Sequence, residues 1–377
     1  MKIVIAPDSY KESLTAMEVA IAIENGFKQV MPNAEYIKLP MADGGEGTVQ
    51  SLVDATNGEI IKHTVIGPLG EAVVGFYGLF GDGRTAVIEM AAASGLHLVK
   101  PALRDPLKTT TYGTGELIKA VLDKGVKHII IGIGGSATND GGLGMAQALG
   151  IRMLDSNGNE LGYGGGELNK LSTIDMSNID PRLAETRLEV ACDVDNPLCG
   201  PKGASYVFGP QKGATPEMAK QLDHNLAHFA HIIKSQLGKD VIGREGAGAA
   251  GGLGAALLGL LEAELRPGIE IVMDAVNLNN IIANADLVIT GEGRIDSQTI
   301  HGKTPIGVAR TAKKYHLPVI GIAGCLSSDC NVVYEYGIDA VFSVVNRATD
   351  LASALAEAAE NIELTSRNIA AMYCMKS

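Results

Sequence analysis

The two ends of the chain share one hydrophobic pattern, in which short apolar runs alternate with amphipathic segments. The apolar runs predict strands at 2–6, 35–39, 286–290, 319–323 and 340–345. The amphipathic segments predict helices from Ala16 onward, after the capping box of Thr15 and Glu18, and at 48–56, 305–315 and 351–372. Strand, loop and helix repeated in this order are typical of a doubly wound parallel sheet.

The middle of the chain has a different pattern. Runs at 73–80 and 85–90 flank a glycine-rich turn and predict a hairpin, and a helix at 116–122 precedes a buried strand at 128–133. We therefore expect an α/β fold of two α/β domains. Residues 1–70 and 285–377 would form a discontinuous Rossmann/flavodoxin-like domain, and residues 71–284 an inserted mixed α/β domain. Ligands would bind in the cleft between the two domains.

Composition narrows the function classes. The 377 residues include 31 Lys+Arg and 43 Asp+Glu, which gives a net charge of −12. An acidic protein lacks the basic footprint that nucleic acids and anionic membranes require, so we expect neither partner. The uncharged stretch 246–261 is too short and too rich in glycine to span a bilayer. Five cysteines without CxxC spacing fit a reduced, cytoplasmic compartment.

The 47 glycines cluster in short loops between apolar runs, which is typical of an enzyme whose backbone closely approaches a ligand. Four polar loops follow predicted strands, at 7–13, 41–47, 134–142 and 291–303. Ligands of parallel α/β sheets bind beyond the carboxyl ends of the strands, so these loops are the candidate site. Glycine and aspartate are also ordinary turn formers, which is the alternative for any one loop.

The loop after the predicted strand at 128–133 is the richest of the four. It opens a predicted helix, so its backbone N–H groups could hold an anion, with hydroxyls from Ser136 and Thr138. Gly132, Gly134 and Ala137 also match a loose dinucleotide fingerprint, and Asp155 falls where a ribose-binding acid would follow. The alternative function is therefore an NAD-dependent dehydrogenase of a small hydroxy acid.

Two further segments carry candidate chemistry. Residues 297–304 resemble a phosphate loop with Ser297 in place of the first glycine, so Lys303 is a candidate phosphate contact. Asp193 and Asp195 alternate at a predicted strand end and could hold Mg²⁺ through water, or could form a turn before a proline. Near the C-terminal loop, Arg294 could grip a carboxylate or phosphate, and Asp296 could accept a hydroxyl proton.

Two patterns can be interpreted as purely structural or as functional. His224, His228 and His231 have helical spacing, but the apolar stripe of their helix places them on the opposite, solvated face. We therefore expect no metal site there. The glycine-rich stretch 246–254 could be an anion cradle or a place of close helix packing, and the sequence does not separate the two.

Five of these segments together resemble the signatures of the bacterial glycerate kinase (type 1) family. They are 6–13, 42–48, 132–144, 208–214 and 290–296. The resemblance covers essentially the whole chain, with the motifs in order. It implies ATP-dependent phosphorylation of D-glycerate, with Mg²⁺, in glyoxylate or sugar-acid catabolism. The expected product is 2-phosphoglycerate, where older descriptions give 3-phosphoglycerate. The protein would be a monomer or a homodimer with an active site between its domains.

Roles within these loops follow as hypotheses. Asp193 or Asp296 would accept the proton of the glycerate hydroxyl, and Arg294 or Lys11 would hold its carboxylate. The remaining substrate-binding residues would be Asp8, Ser9, Asp43, Gly44, Gly45, Glu292 and Lys303. The ATP-binding residues would be Gly134, Gly135, Ser136, Ala137, Thr138, Asn139, Asp140 and Lys212. The metal ligands would be Asp43, Asp193 and Asp195.

Overall fold

The computed structural model describes residues 1–375 of the chain, which form two compact units. Unit 1 contains residues 1–43, 50–58 and the described chain from 269 onward. Unit 2 contains residues 44–49 and 59–268. The chain thus contributes both its ends to unit 1 and its middle to unit 2.

The strands of residues 1–375 are, in chain order, β1 (Lys2–Pro7), β2 (Glu35–Lys38), β3 (Glu59–Ile66), β4 (Ala72–Leu79), β5 (Thr85–Glu89), β6 (His128–Gly132), β7 (Arg152–Leu154), β8 (Thr173–Asp175), β9 (Arg187–Ala191), β10 (Glu264–Arg266), β11 (Leu287–Ile295), β12 (Val319–Leu326) and β13 (Ala340–Ser343). The α-helices are α1 (Ala16–Lys28), α2 (Thr48–Thr56), α3 (Ala91–Ser94), α4 (Tyr112–Leu122), α5 (Leu143–Ala148), α6 (Ala204–Phe208), α7 (Pro216–Leu237), α8 (Ala249–Leu260), α9 (Gly268–Ala275), α10 (Leu278–Ile282), α11 (Thr304–Lys313), α12 (Leu351–Ala356) and α13 (Ala358–Cys374).

Unit 1 is built on a fully parallel sheet with the strand order β13-β12-β11-β1-β2. Successive residues of β1 are buried on both faces, which explains why this strand is a continuous apolar run. On one face, Ile3 and Ile5 of β1 and Ile289 of β11 join a core with Phe27 of α1 and Ile362 of α13. The predicted parallel sheet at the chain ends is confirmed.

The strand order of unit 1 reverses between β1 and β11. From β1 the chain moves to β2 on one side, and the later strands β11, β12 and β13 lie in succession on the other side. The carboxyl ends of β1 and β11 therefore flank a crevice that no crossover connection covers, which is where ligands of open α/β sheets bind. The fold thus singles out the residues that follow these two strands.

Unit 2 contains a mixed sheet with the order β10-β9-β6-β5-β4-β3. Strands β5, β6, β9 and β10 are parallel, whereas β4 runs antiparallel to both β3 and β5. Strands β4 and β5 are the predicted hairpin, and β6 is the predicted buried strand. The predicted α/β class is confirmed. Strand β3 was not predicted because it lies at the sheet edge and most of its side chains are exposed.

Two predicted element boundaries are wrong. The predicted strand 286–290 continues as β11 through Ile295, because β12 also continues and pairs Arg294 with Cys325. Most of the expected loop at 291–296 is therefore strand. The predicted helix 351–372 is two helices, α12 and α13, which meet at Glu357 with its backbone outside the helical region. In residues 1–375 no helix has both the length and the apolar character to cross a bilayer.

Candidate active site

A pocket of about 400 Å³ opens at the carboxyl ends of β1 and β11, where the strand order of unit 1 reverses. Its lining includes the acids Asp8, Asp43, Glu292 and Asp296 and the cations Lys11, Arg294 and Lys303. Three predicted loops therefore bring their charged side chains to one pocket. Ser9 and Gly293, from the same segments, also line the pocket. Acids and cations that share one concave surface can bind a ligand that is itself charged.

Asp8 directly follows β1, and its backbone N–H donates to the carbonyl of Gly291 at 2.8 Å, which fixes its place at the strand end. Its Oδ2 accepts from the Thr304 hydroxyl at 2.7 Å, and its Oδ1 accepts from the Ser9 backbone N–H at 2.7 Å. Burial and the nearby carboxylate of Asp43 raise the pKa of Asp8 to about 6. A cation in the pocket would lower the free energy of this charge.

Glu292 lies inside β11, with its side chain almost fully buried. Its Oε1 accepts from the Thr299 hydroxyl at 2.6 Å, and its Oε2 pairs with the Lys303 ammonium at 3.1 Å. Burial raises the pKa of Glu292, and the hydrogen bond from Thr299 and the charge of Lys303 oppose that rise. Lys303 is thus engaged with an acid of the pocket.

Arg294 is the second-last residue of β11, and Asp296 directly follows this strand. The Arg294 Nε lies 3.3 Å from Asp296 Oδ2 and donates to the Ser327 hydroxyl at 3.0 Å. The arginine side chain remains 64% exposed, whereas the Asp296 side chain is 16% exposed. The backbone N–H of Asp296 donates to the Thr299 hydroxyl at 3.1 Å. Arg294 therefore presents its guanidinium to a ligand while Asp296 is held in place.

Sequence reasoning missed the two threonines of this network. Thr299 accepts from the backbone of Asp296 and donates to Glu292, and Thr304 donates to Asp8. Both threonines are fully buried. Thr304 is the first residue of α11, next to Lys303, so the phosphate-loop resemblance of this segment was the available signal.

The glycine-rich loop of unit 2, residues 133–142, follows β6. Gly134 and Gly135 are exposed at its tip, whereas the loop is buried from Ser136 onward. Lys212 is also buried, and its ammonium donates to the Ser136 hydroxyl at 2.7 Å and to the Thr138 carbonyl at 2.6 Å. Burial lowers the pKa of Lys212 to about 7, and the charge of Asp140 opposes that effect. Lys212 therefore ties the loop together from beneath.

The carboxylate of Asp140, near the end of this loop, accepts hydrogen bonds only from its own unit in the contacts that the structure shows. Its Oδ2 accepts from the backbone N–H and the hydroxyl of Thr111, at 2.9 and 2.8 Å, and from the Gly144 N–H at 3.2 Å. Its Oδ1 accepts from the Gly142 N–H at 3.2 Å. Burial raises the pKa of Asp140, and these hydrogen bonds lower it. The N–H groups at the start of α5 thus already face a carboxylate of the chain.

Asn139 and Thr138 lie at the centre of the same loop with no exposed surface. The amide of Asn139 donates to the Ser205 hydroxyl at 3.0 Å. The stretch 246–254, for which two interpretations were open, packs against this loop: a Cβ at Gly251 would overlap the Thr138 carbonyl. Every residue from 246 to 254 is buried. Close backbone packing is therefore what these glycines provide.

Asp193 and Asp195 follow β9 and are both exposed. Asp193 Oδ1 accepts from the Gly268 backbone N–H at 2.9 Å. Gly44 lies beside Asp193, since a Cβ at Gly44 would come within 3.7 Å of Asp193 Oδ2. In residues 1–375 no group of three or more His, Cys, Asp or Glu side chains is arranged to hold a metal ion.

Two expectations for unit 2 are not supported. His228 is half-buried rather than solvated, because it lies at the edge of the apolar face of α7 and its Nε2 hydrogen-bonds the Leu171 carbonyl at 2.7 Å. Asp155 follows β7, which pairs with β8 outside the large sheet, and its carboxylate accepts from the backbone of Asn157 and Asn159. It does not follow a strand adjacent to β6, as a ribose-binding acid would.

Comparison with known proteins gives consistent matches. The family model described as "Glycerate kinase family" matches residues 3–374. Glycerate kinase from Bacillus subtilis (strain 168) is 65% identical, over 98% of this chain and 97% of its own length. Glycerate 2-kinase from Escherichia coli (strain K12) is 61% identical over the same shares. A crystal structure described as a glycerate kinase 2 from Salmonella typhimurium LT2 is 61% identical, with a TM-score of 0.94, and the match covers 100% of this chain and 99% of that one.

These matches place the protein in the class of kinases, enzymes that transfer a phosphoryl group. More specifically, the chain belongs to the glycerate kinase family. The dehydrogenase alternative is not supported, by the comparisons or by the position of Asp155. The resemblance that the five sequence motifs indicated is confirmed.

Proposed function

We propose that the enzyme transfers the terminal phosphoryl group of ATP to the 2-hydroxyl of D-glycerate, with Mg²⁺, and releases ADP and 2-phosphoglycerate. The observation that carries the proposal is the shared pocket of Asp8, Asp43 and Glu292 with Lys11, Arg294 and Lys303 in unit 1. Phosphoryl transfer depends on positioning and on stabilising phosphate charge rather than on covalent chemistry by the protein. Cations for anionic oxygens and acids for a divalent ion meet both needs.

The acids of the pocket fit a magnesium ion. Mg²⁺ takes oxygen ligands and usually needs only one or two carboxylates, with waters and substrate phosphates completing its coordination. The carboxylate of Asp43 lies close enough to raise the pKa of Asp8, and a cation beside Asp8 would offset that repulsion. When bound, the ion would neutralise phosphate charge. Asp8 and Asp43 would hold it, and Asp193 and Asp195 are the alternative pair.

The acceptor would be held by the exposed cations of the pocket. Arg294 can grip a carboxylate with its terminal guanidinium nitrogens, since its Nε is the atom engaged with Asp296 and Ser327. Lys11 is exposed on the loop after β1 and offers a second positive charge. Asp296 would then accept the hydroxyl proton during transfer, with Asp193 as the other candidate base.

In the glycine-rich loop of unit 2, we assign different roles to its exposed and buried parts. Gly134 and Gly135 offer exposed backbone to a phosphate. Lys212 and Asp140 are fully buried and are engaged with the loop itself, so they would hold its shape. In this proposal Lys212 positions Ser136 rather than contacting ATP.

The first experiment measures ADP release from Mg-ATP with D-glycerate, with L-glycerate and no acceptor as controls, and identifies the product by phosphorus NMR. D-Glycerate-dependent turnover that gives 2-phosphoglycerate supports the proposal. A 3-phosphoglycerate product would keep the kinase but reject the 2-hydroxyl as the site of attack. Absence of acceptor-dependent ADP from folded protein would reject D-glycerate as the substrate.

The second experiment compares Asp296→Asn with Asp193→Asn. Removing the base should lower kcat by about 10²–10⁴-fold with a much smaller change in KM. Asp155→Asn is the matched control, since Asp155 is an exposed aspartate engaged only with its own turn in the contacts that the structure shows. Near-normal kcat in both variants would reject the base assignment.

A further inference from the structure

The pocket of unit 1 has an apolar wall that the acids and cations do not explain. The wall consists of Val344, Val345, Leu351, Ala354 and Leu355. Val345 is 40% exposed and Leu351 is 72% exposed, so these two side chains present apolar surface to solvent at the pocket. A ligand that covers these apolar side chains removes them from water, which favours its binding.

The apolar wall and the charged wall are held together by direct contacts. The Ser13 hydroxyl, on the loop after β1, donates to the Leu355 carbonyl of α12 at 2.7 Å. The Ser343 hydroxyl at the end of β13 donates to the Gly324 carbonyl of β12 at 3.3 Å. Both walls therefore belong to one built pocket that extends from the ends of β1 and β11 to the start of α12.

The charged and apolar walls together indicate which of the two substrates, D-glycerate or ATP, fits this pocket better. D-Glycerate is a three-carbon acid whose carbons all carry oxygen, so it has no apolar face to cover Leu351 and Val345. A volume of about 400 Å³ is also within the range of pockets for much larger ligands. A nucleoside triphosphate with a divalent cation has three parts that match: a flat apolar base, anionic phosphates, and an ion that carboxylates can hold.

We propose that the pocket of unit 1 is the nucleoside site, in which Val345, Leu351 and Leu355 receive the base of the nucleoside triphosphate. The inference rests on the proposed ATP-dependent kinase and places the base in the unit formed by the two chain ends. It departs from the sequence-based assignment of ATP to the loop at 134–140. The charged side of the pocket, with Lys11 and Arg294, is then where the terminal phosphate and the acceptor would meet.

Cys325 provides a direct test, because it is exposed and lines this pocket. In a Cys374→Ser background, which removes the other exposed cysteine, the rate of Cys325 alkylation by iodoacetamide is followed by mass spectrometry of the peptide. We expect ATP, and a non-hydrolysable ATP analogue, to slow alkylation about tenfold or more. D-Glycerate alone would reach only the charged side of the pocket and should slow it by less than about twofold. Protection by D-glycerate as strong as that by the nucleotides, or no protection by the nucleotides, would overturn the proposal.

A substitution in the apolar wall tests the same point through kinetics. Leu351→Ser should raise the KM for ATP about tenfold, because covering one leucine side chain is worth about that factor, and should leave the KM for D-glycerate unchanged. Leu364→Ser, at an exposed leucine of α13 that does not line the pocket, is the matched control. An unchanged KM for ATP, or a KM change for D-glycerate instead, would count against the nucleoside site.

The two experiments separate this inference from the proposed function. If the enzyme forms ADP with D-glycerate but neither Cys325 protection nor the Leu351 effect is found, the nucleoside site is wrong and the kinase stands. If no acceptor-dependent ADP forms, the proposed function fails. Cys325 protection is a binding measurement, so its result does not depend on turnover.

Discussion

Lys212 gives a sharp test of the electrostatics in unit 2. It is a buried lysine whose hydrogen-bond partners are a hydroxyl and a carbonyl, with the carboxylate of Asp140 nearby. Burial lowers its pKa from 10.5 to about 7. Above about pH 7 the Lys212 side chain is therefore largely the neutral amine in the folded protein, whereas in the unfolded chain it still binds the proton. The substitution Lys212→Met keeps the apolar stem and removes the titrating group.

The sign and the size of the effect follow from linkage. Between about pH 7 and about pH 10.5 unfolding takes up one proton, so raising the pH stabilises the folded state by about 1.4 kcal/mol per unit. The loss of stability that Lys212 causes is complete at pH values below its folded pKa and disappears at pH values above its unfolded pKa. Between about pH 7.5 and about pH 9.5, the free energy of unfolding of the native protein should therefore rise by about 2.5 kcal/mol relative to Lys212→Met.

The assay is urea unfolding of both proteins at several pH values in this window. Lys220→Met is the control, since Lys220 is exposed on α7 and should leave the pH dependence as it is in the native protein. If the free energy of unfolding changed with pH in the same way in the native protein and in Lys212→Met, the reasoning would be refuted. Such a result would show that Lys212 has the same protonation state in the folded and unfolded protein.

Three further substitutions test other features of the structure. Gly251→Ala should cost about 3 kcal/mol or more, because its Cβ overlaps the Thr138 carbonyl at positive φ, whereas Gly238→Ala, also at positive φ but with open space, should cost only about 1 kcal/mol; urea unfolding compares them. Glu189→Gln should cost about 2 kcal/mol in the same assay, because it removes the charge of a buried carboxylate that pairs with the half-buried side chains of Arg266 and His128. Asp8→Asn should abolish most ADP formation. It should also raise stability at neutral pH by about 3 kcal/mol, because the folded pKa of about 6 lies above the unfolded value; the gain should vanish below about pH 4 in thermal unfolding.

The sequence predicts the charged side of the unit 1 pocket well, for a physical reason. Asp8 and Glu292 each come at the end of an apolar run, and runs buried on both faces can be recognised as central parallel strands. Carboxyl ends of neighbouring parallel strands meet at one edge, so the loops that follow such strands can be grouped from the amino-acid pattern alone. The apolar wall was not predicted, because Val345 and Leu351 are ordinary apolar residues whose exposure depends on where α12 begins.

Burial of polar residues is the part that the sequence does not reveal. Lys212 lies in a motif with the same residue types as an exposed phosphate-binding loop, and only the structure shows that its ammonium is turned into the protein toward Ser136 and Thr138. Asp140 is similar, since its carboxylate takes the N–H groups that the sequence suggested for a ligand. Local pattern specifies that a loop is polar, whereas tertiary packing decides which way each side chain faces.

Asp8 and Lys212 carry opposite charges but share one property. Each is held in an environment that disfavours its charged form, with a pKa of about 6 for the acid and about 7 for the lysine. Groups of this kind lower stability and persist where function requires them. Their substitutions should nevertheless differ: Asp8→Asn removes a proposed metal ligand and should lose activity, whereas Lys212→Met should mainly disturb the loop geometry. A larger activity loss in Lys212→Met than in Asp8→Asn would place the chemistry in unit 2 instead.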